Sequence, residues 1–167
     1  MENICYENYP FKIVFLSNLL TLSIYIIGTY ILYNLTIIFA LLYLIYALFL
    51  EIRLLKKSCV NCYYYGKICG FGKGRLSYIF FKKGDNSKFS LSKIGWKDMI
   101  PDLMIILLPL IGGIFILIFN FSWIILLLIL ALLALSTVGN AVIRGNFACK
   151  YCKQRKLGCP AENLFDN

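Results

Sequence analysis

Histidine is absent from the 167-residue chain. Its absence removes the most common nitrogen ligand for metals, the usual general base of enzymes and the usual axial ligand of haem. Acids are scarce as well, eight against seventeen Lys and Arg. Charge of either sign is missing from two long stretches, between Lys12 and Glu51 and between Asp102 and Arg144. Each gap is about twice the ~20 residues that cross a bilayer as a helix, so each reads as two spans folded back on one another. Ion and proton pathways usually need charged groups at depth, which disfavours a pump or cation transporter. No catalytic triad, nucleotide loop or haem ligand pair is evident. A signal peptide is not expected either: the first apolar run is too long, follows Glu2 and Glu7, and lacks a basic leader and a small-residue cleavage site.

What is present is overwhelmingly apolar. Sixty per cent of residues are hydrophobic, 15% are charged and the mean hydropathy is +0.78, more apolar surface than a soluble domain of this size can hide. The expected spans cover about 10–33, 35–55, 98–119 and 123–143, with turns near Asn34 and at Asn120 and Ser122. Tyr6 and Tyr9 suit an interfacial aromatic belt. Asp98 suits a helix N-cap, and Asp102 one turn on is read as a second helix-start residue. Pro109, Gly112 and Gly113 should kink or thin the third span and let a neighbour approach. Asn18, Thr21, Ser23, Thr29, Ser136, Thr137 and Asn140 are expected to bond between helices.

Basic residues set the expected orientation. Residues 51–98 hold eleven Lys or Arg against three acids, the tail after Ile143 five against two, and the two opposite turns none. Positive loops stay cytoplasmic, so the N-terminus, central loop and C-terminus are all placed inside a multi-pass cell-membrane protein. The net charge of +9 then reads as topology and as attraction to anionic headgroups, with Lys73, Arg75, Lys82, Lys83 and Arg144 as contacts. Nucleic acid is not an expected partner; a protein partner or homo-oligomer is left open. Residues 76–81 and 88–91 around Gly84-Asp85-Asn86 look like a short β-hairpin, and 90–96 like a surface-lying segment. Gly70-Phe71-Gly72-Lys73-Gly74-Arg75 lacks the Walker spacing and is read as a flexible basic turn near lipid phosphates.

Six of the seven cysteines form two identical patterns, Cys-x2-Cys-x6-Cys: Cys59, Cys62 and Cys69, then Cys149, Cys152 and Cys159. Each follows a span and a basic residue (Arg53, Arg144), which defines an internal repeat of about ninety residues. Paired thiolates two residues apart reach one ion from a single turn, and a third can fold back to it. Three thiolates leave a tetrahedral site incomplete and no histidine exists to finish it, so the triads need each other. Two zinc ions with two bridging thiolates use all six cysteines and are preferred. A four-iron cluster needs four and is the alternative. Cys5 reads as an ordinary free thiol.

The segment Cys149-Lys150-Tyr151-Cys152-Lys153-Gln154-Arg155-Lys156-Leu157-Gly158-Cys159-Pro160 resembles half of the binuclear zinc cluster of fungal transcription factors. That resemblance implies bridging roles for Cys59 and Cys149. Here the halves stand 79 residues apart and the first half, with Tyr63-Tyr64-Tyr65, is aromatic, so metal geometry is implied and DNA binding is not. A four-span chain with Cys-x-x-Cys pairs is also reminiscent of membrane thiol-oxidising enzymes of the vitamin K epoxide reductase type, which face the oxidising side of the membrane. The expected whole is an all-α membrane protein of four transmembrane helices, built as two repeated helix hairpins (1–55 and 98–143). A small metal-bound cytoplasmic cysteine module is supplied by the loop 56–97 and the tail 144–167. Its role would be structural, or metal or redox sensing. The alternatives are iron–sulfur electron transfer and thiol–disulfide exchange.

Overall fold

A computed structural model describes residues 5–86, Phe89 and 96–159. Among these residues every regular element is helical. Four helices are long and apolar enough to cross a membrane. They are α1 (Phe11–Tyr33), α2 (Ile37–Lys57), α4 (Trp96–Phe119) and a fourth that begins as α5 (Trp123–Ala134) and continues as a π-helix (Leu135–Cys149); α3 (Lys73–Phe80) and α6 (Lys153–Lys156) are short. Lys56 and Lys57 end α2, where cations suit the partial negative charge of a helix C-terminus. Asp98 lies in the first turn of α4 rather than capping it. Outward side chains such as Phe11, Ile38, Ile45, Leu48, Ile118 and Trp123 are exposed and apolar, as a hydrocarbon solvent requires.

Three expectations are corrected. Residues 76–81 are not a strand. They belong to α3 and Phe81, and the two buried residues there, Gly74 and Ser77, stand three apart as on a helix face. The partner segment 88–91 and the surface segment 90–96 lie outside the described residues, apart from Phe89 and the backbone of Trp96. Of the polar side chains expected to bond between helices, Asn18 bonds both within its helix and beyond it, to Phe71 O at 3.3 Å, whereas four turn to their own helices. Thr29 Oγ1 donates to Tyr25 O at 2.7 Å, Thr137 Oγ1 to Leu133 O at 2.7 Å, Ser136 Oγ to Leu133 O at 3.1 Å and Asn140 Nδ2 to Ser136 O at 2.8 Å. Local side chains that take up carbonyls loosen the i to i−4 ladder. The widened π-helix starts at this cluster and closes with Lys150 N donating to Gly145 O at 3.1 Å, five residues back. Third, Tyr6 and Tyr9 do not form a lipid-facing belt: Tyr9 is 4% exposed and both rings lie in an aromatic cluster.

The chain divides into two compact units. One comprises residues 19–50 and 96–140, the other 1–18, 51–95 and 141–167. In the first, the proline of α4 organises the packing. Pro109 has no N–H, so the Ile105 carbonyl one turn back has lost its helical donor. Tyr43 Oη of α2 supplies it at 3.0 Å, and Tyr46 Oη donates a second bond from α2 to α4, to Pro101 O at 2.9 Å. Tyr43 is 2% exposed. Only glycine leaves room for it on α1, since a Cβ at Gly28 would overlap the Tyr43 hydroxyl and stand 2.9 Å from Pro109 Cγ. The expected thinning of α4 is present as close approach: Leu32 and Leu35 pack over Gly112, and Ile129 and Ile31 over Gly113.

Tyr43→Phe removes the donor while keeping the ring, leaving the Ile105 carbonyl unsatisfied in hydrocarbon. It should cost about 1 kcal/mol. Gly28→Val overpacks the same junction and should cost about 1–3 kcal/mol. Thermal unfolding of the detergent-solubilised protein checks both; an unchanged midpoint for both variants would remove this junction from the fold.

Candidate metal centre

The second unit gathers both cysteine triads. Three backbone hydrogen bonds recur at equal offsets in both. Cys62 N donates to Cys59 O at 3.4 Å and Cys152 N to Cys149 O at 3.1 Å; Tyr65 N to Cys62 O at 3.0 Å and Arg155 N to Cys152 O at 3.2 Å; Lys67 N to Tyr64 O at 2.9 Å and Leu157 N to Gln154 O at 3.1 Å. The two segments also grip one another reciprocally. Tyr63 N donates to Gln154 Oε1 at 2.7 Å, and Lys153 N donates to Tyr64 Oη at 3.0 Å. In each direction the residue one past the middle cysteine gives its N–H to the side chain two past the other middle cysteine. Both accepting side chains are buried, Tyr64 at 1% and Gln154 at 3% exposed, where an unmet polar group is costly.

The N-terminal segment threads between these loops. Tyr64 Oη donates to Tyr6 O at 2.6 Å. Tyr6 N bonds to Tyr151 O at 3.1 Å and Tyr9 N to Ile68 O at 3.0 Å. Tyr9 Oη donates to Ala148 O at 2.5 Å. Burial pushes the Tyr64 hydroxyl up to about 12, so it remains a neutral donor. Glu7 ties both loops from outside: it accepts from Tyr63 Oη at 2.6 Å and from the ammonium groups of Lys67, at 2.9 Å, and Lys153. Sequence reasoning missed Tyr9, Tyr64, Gln154 and Glu7. The only signal for the pair of acceptors was their equal offset from Cys62 and Cys152.

Five of the six triad cysteines are half-buried and Cys149 is exposed. Backbone N–H groups aim at several sulfurs. Gly74 N lies 3.3 Å from Cys69 Sγ, Tyr64 N–H points at Cys62, and those of Gln154 and Arg155 at Cys152. Burial pushes the Cys62 thiol up to about 11, with the neighbouring Cys152, Cys69 and Cys159 adding to it against the Tyr64 N–H. Cys152 is raised in the same way, by burial first. Among the described residues no three Cys, Asp or Glu side chains stand converged at ligating distance, so coordination would draw the sulfurs inward from these positions. Cys5 is half-buried beside Tyr64.

The basic residues read as headgroup contacts differ in setting. Lys73 is ion-paired with Glu51, and the Arg144 guanidinium lies 5.4 Å from the Phe71 ring centre. Arg75, Lys82 and Lys83 are exposed. The glycine-rich stretch is packed rather than loose. Gly70 rests against Ala148 and Tyr9, and a Cβ at Gly74 would overlap the Tyr64 carbonyl. Comparison with protein-family models, curated proteins and solved structures finds no match to this chain.

The contacts of Glu7, first the hydrogen bond from Lys153, then those from Tyr63 and Lys67, hold its carboxyl at about 2 against an ordinary 4.5. A depressed acid stabilises the fold above its unfolded value and loses that contribution as pH falls through its folded one. Wild type should therefore unfold at higher temperature than Glu7→Gln near neutrality. The difference should shrink as pH falls from about 4.5 toward 2. A difference that does not change over that window would show that the carboxylate contributes nothing.

Proposed function

We propose that this is a multi-pass membrane protein whose two triads together form a zinc-binding module, and that the metal's first role is structural, locking the two halves of the chain. The observation that carries this reading is the reciprocal exchange between the Tyr63–Tyr64 and Lys153–Gln154 backbones and side chains. It joins two segments of identical cysteine spacing that share three backbone hydrogen bonds at equal offsets. Neither segment holds four ligands, and the exchange brings the second set to the first. Thiolates with no histidine suit zinc or an iron–sulfur cluster. N–H groups directed at the sulfurs lower the cost of ionising them and orient them.

The thiol-oxidoreductase reading fares worse. Such enzymes face the oxidising side of the membrane, whereas the basic residues around both triads favour the reducing cytoplasmic side. The orientation we propose places the N-terminus, the central loop and the C-terminal tail in the cytoplasm. In support, segments of all three share one compact unit, as an even number of crossings demands, and the basic residues concentrate there. The exposed Leu76, Ile79 and Phe80 of α3 beside Arg75, Lys82 and Lys83 suit contact with an anionic lipid surface.

Metal analysis of the purified protein decides the reading. Zinc bound without visible absorption, and a lower unfolding temperature after chelation, is the expected result. A brown protein containing iron and acid-labile sulfide would replace the clamp by electron transfer. A protein that binds neither metal, and whose unfolding a chelator does not alter, would end it.

A further inference from the structure

The start of α3 is pinned against the sides of two long apolar helices. Gly72, its N-cap, packs on α1, where a Cβ at Gly72 would stand 2.9 Å from Val14 Cγ1. Asn18 Nδ2 of α1 donates to Phe71 O at 3.3 Å. Lys73 is ion-paired with Glu51 of α2, the first charged residue after the uncharged stretch 13–50. In a spanning chain Glu51 therefore marks the depth at which hydrocarbon gives way to headgroups. The first turn of α3 is held at that depth.

The faces of this helix differ. Gly74 and Ser77 are buried, and α3 packs against Cys59–Asn61. Leu76, Ile79 and Phe80, at spacing i, i+3 and i+4, form a separate stripe that is 42%, 66% and 67% exposed. Arg75, Lys82 and Lys83 flank it and are exposed. The nearest acid in sequence, Asp85, is fastened at its N–H to Asn61 Oδ1 at 3.0 Å. An apolar stripe rimmed by cations suits the layer between water and hydrocarbon, and its charge complements anionic headgroups. The helix is also tied to the first cysteine loop at both ends. Gly66 N donates to Gly74 O at 3.1 Å, Gly74 N to Cys69 Sγ at 3.3 Å and Tyr65 Oη to Phe81 O at 2.7 Å.

We infer that α3 is a surface anchor that binds the anionic lipid headgroups of the leaflet around it, and that this binding steadies the loop between Cys62 and Cys69. The inference rests on the membrane-spanning part of the proposed function and not on the metal. Lys73 and Arg144 are not among the contacts: one is paired with Glu51 and the other lies over Phe71. The anchor is Arg75, Lys82 and Lys83 with the apolar stripe beside them.

The test uses the full chain, reduced and metal-free, in nanodiscs of phosphatidylcholine alone or with phosphatidylglycerol added. Amide hydrogen exchange across α3 should slow in the anionic discs by at least about fivefold, the worth of one cation at such a surface. The difference should vanish at high salt and in the triple variant Arg75→Gln/Lys82→Gln/Lys83→Gln, whose helices circular dichroism confirms intact. Alkylation of Cys69, followed by mass spectrometry, should slow in parallel. Equal exchange in both discs, or slowing that survives in the triple variant, would overturn the anchor. Protection found in native membranes but in neither disc would assign the face to a protein partner and overturn it too. Slowed exchange with unchanged alkylation of Cys69 would overturn the link to the cysteine loop. A chain released from membranes by alkaline carbonate would end the membrane reading itself.

Discussion

Two backbone N–H groups and two buried side chains hold the cysteine-bearing unit together. Tyr63 N donates to Gln154, and Lys153 N donates to Tyr64. Each acceptor is almost fully shielded from water, so removing one partner with the loops in place would leave the other buried and unmet at about 1–3 kcal/mol. The remaining contacts assemble around this exchange. Tyr64 passes a further hydrogen bond to the N-terminal segment, Tyr9 closes onto the end of the π-helix, and Glu7 ties the two loops at the surface. Polar groups far apart in sequence meet here because both loops turn in the same way after Cys59 and Cys149.

The unit that holds most of the four long apolar helices follows a parallel rule with different groups. Hydrocarbon cannot hydrate a carbonyl that a proline has deprived of its donor. A tyrosine from α2 supplies the missing hydrogen bond, and a glycine on α1 gives that tyrosine room. In both units a backbone group that lacks its regular partner is satisfied by an aromatic hydroxyl from a distant segment. This explains why tyrosines recur at buried positions in so apolar a chain.

The four long apolar helices were legible from hydropathy and charge together, in the 38 uncharged and mostly apolar residues after Lys12 and the 41 after Asp102. The triads were legible from spacing. The Tyr64 and Gln154 partnership was not: a Tyr-Tyr-Tyr run reads equally well as an interfacial belt, and only the fold sets position 64 against position 153. The π-helix was hidden because Ser136, Thr137 and Asn140 can bond within or between helices, and sequence does not show which. Residues 76–81 misled because a six-residue, mostly apolar stretch carries too few turns to separate a period of two from one near four.

Joining the two loops within one chain is the central claim, and thiol cross-linking in native membranes tests it most directly. A chain retaining only Cys62 and Cys152 would be treated with a short bifunctional thiol reagent and then cleaved in the central loop between Lys82 and Asp98. The fold predicts that the two halves remain covalently linked on a denaturing gel, at an efficiency independent of protein density in the membrane. Halves that separate after cleavage, or links formed only between different chains, would contradict it.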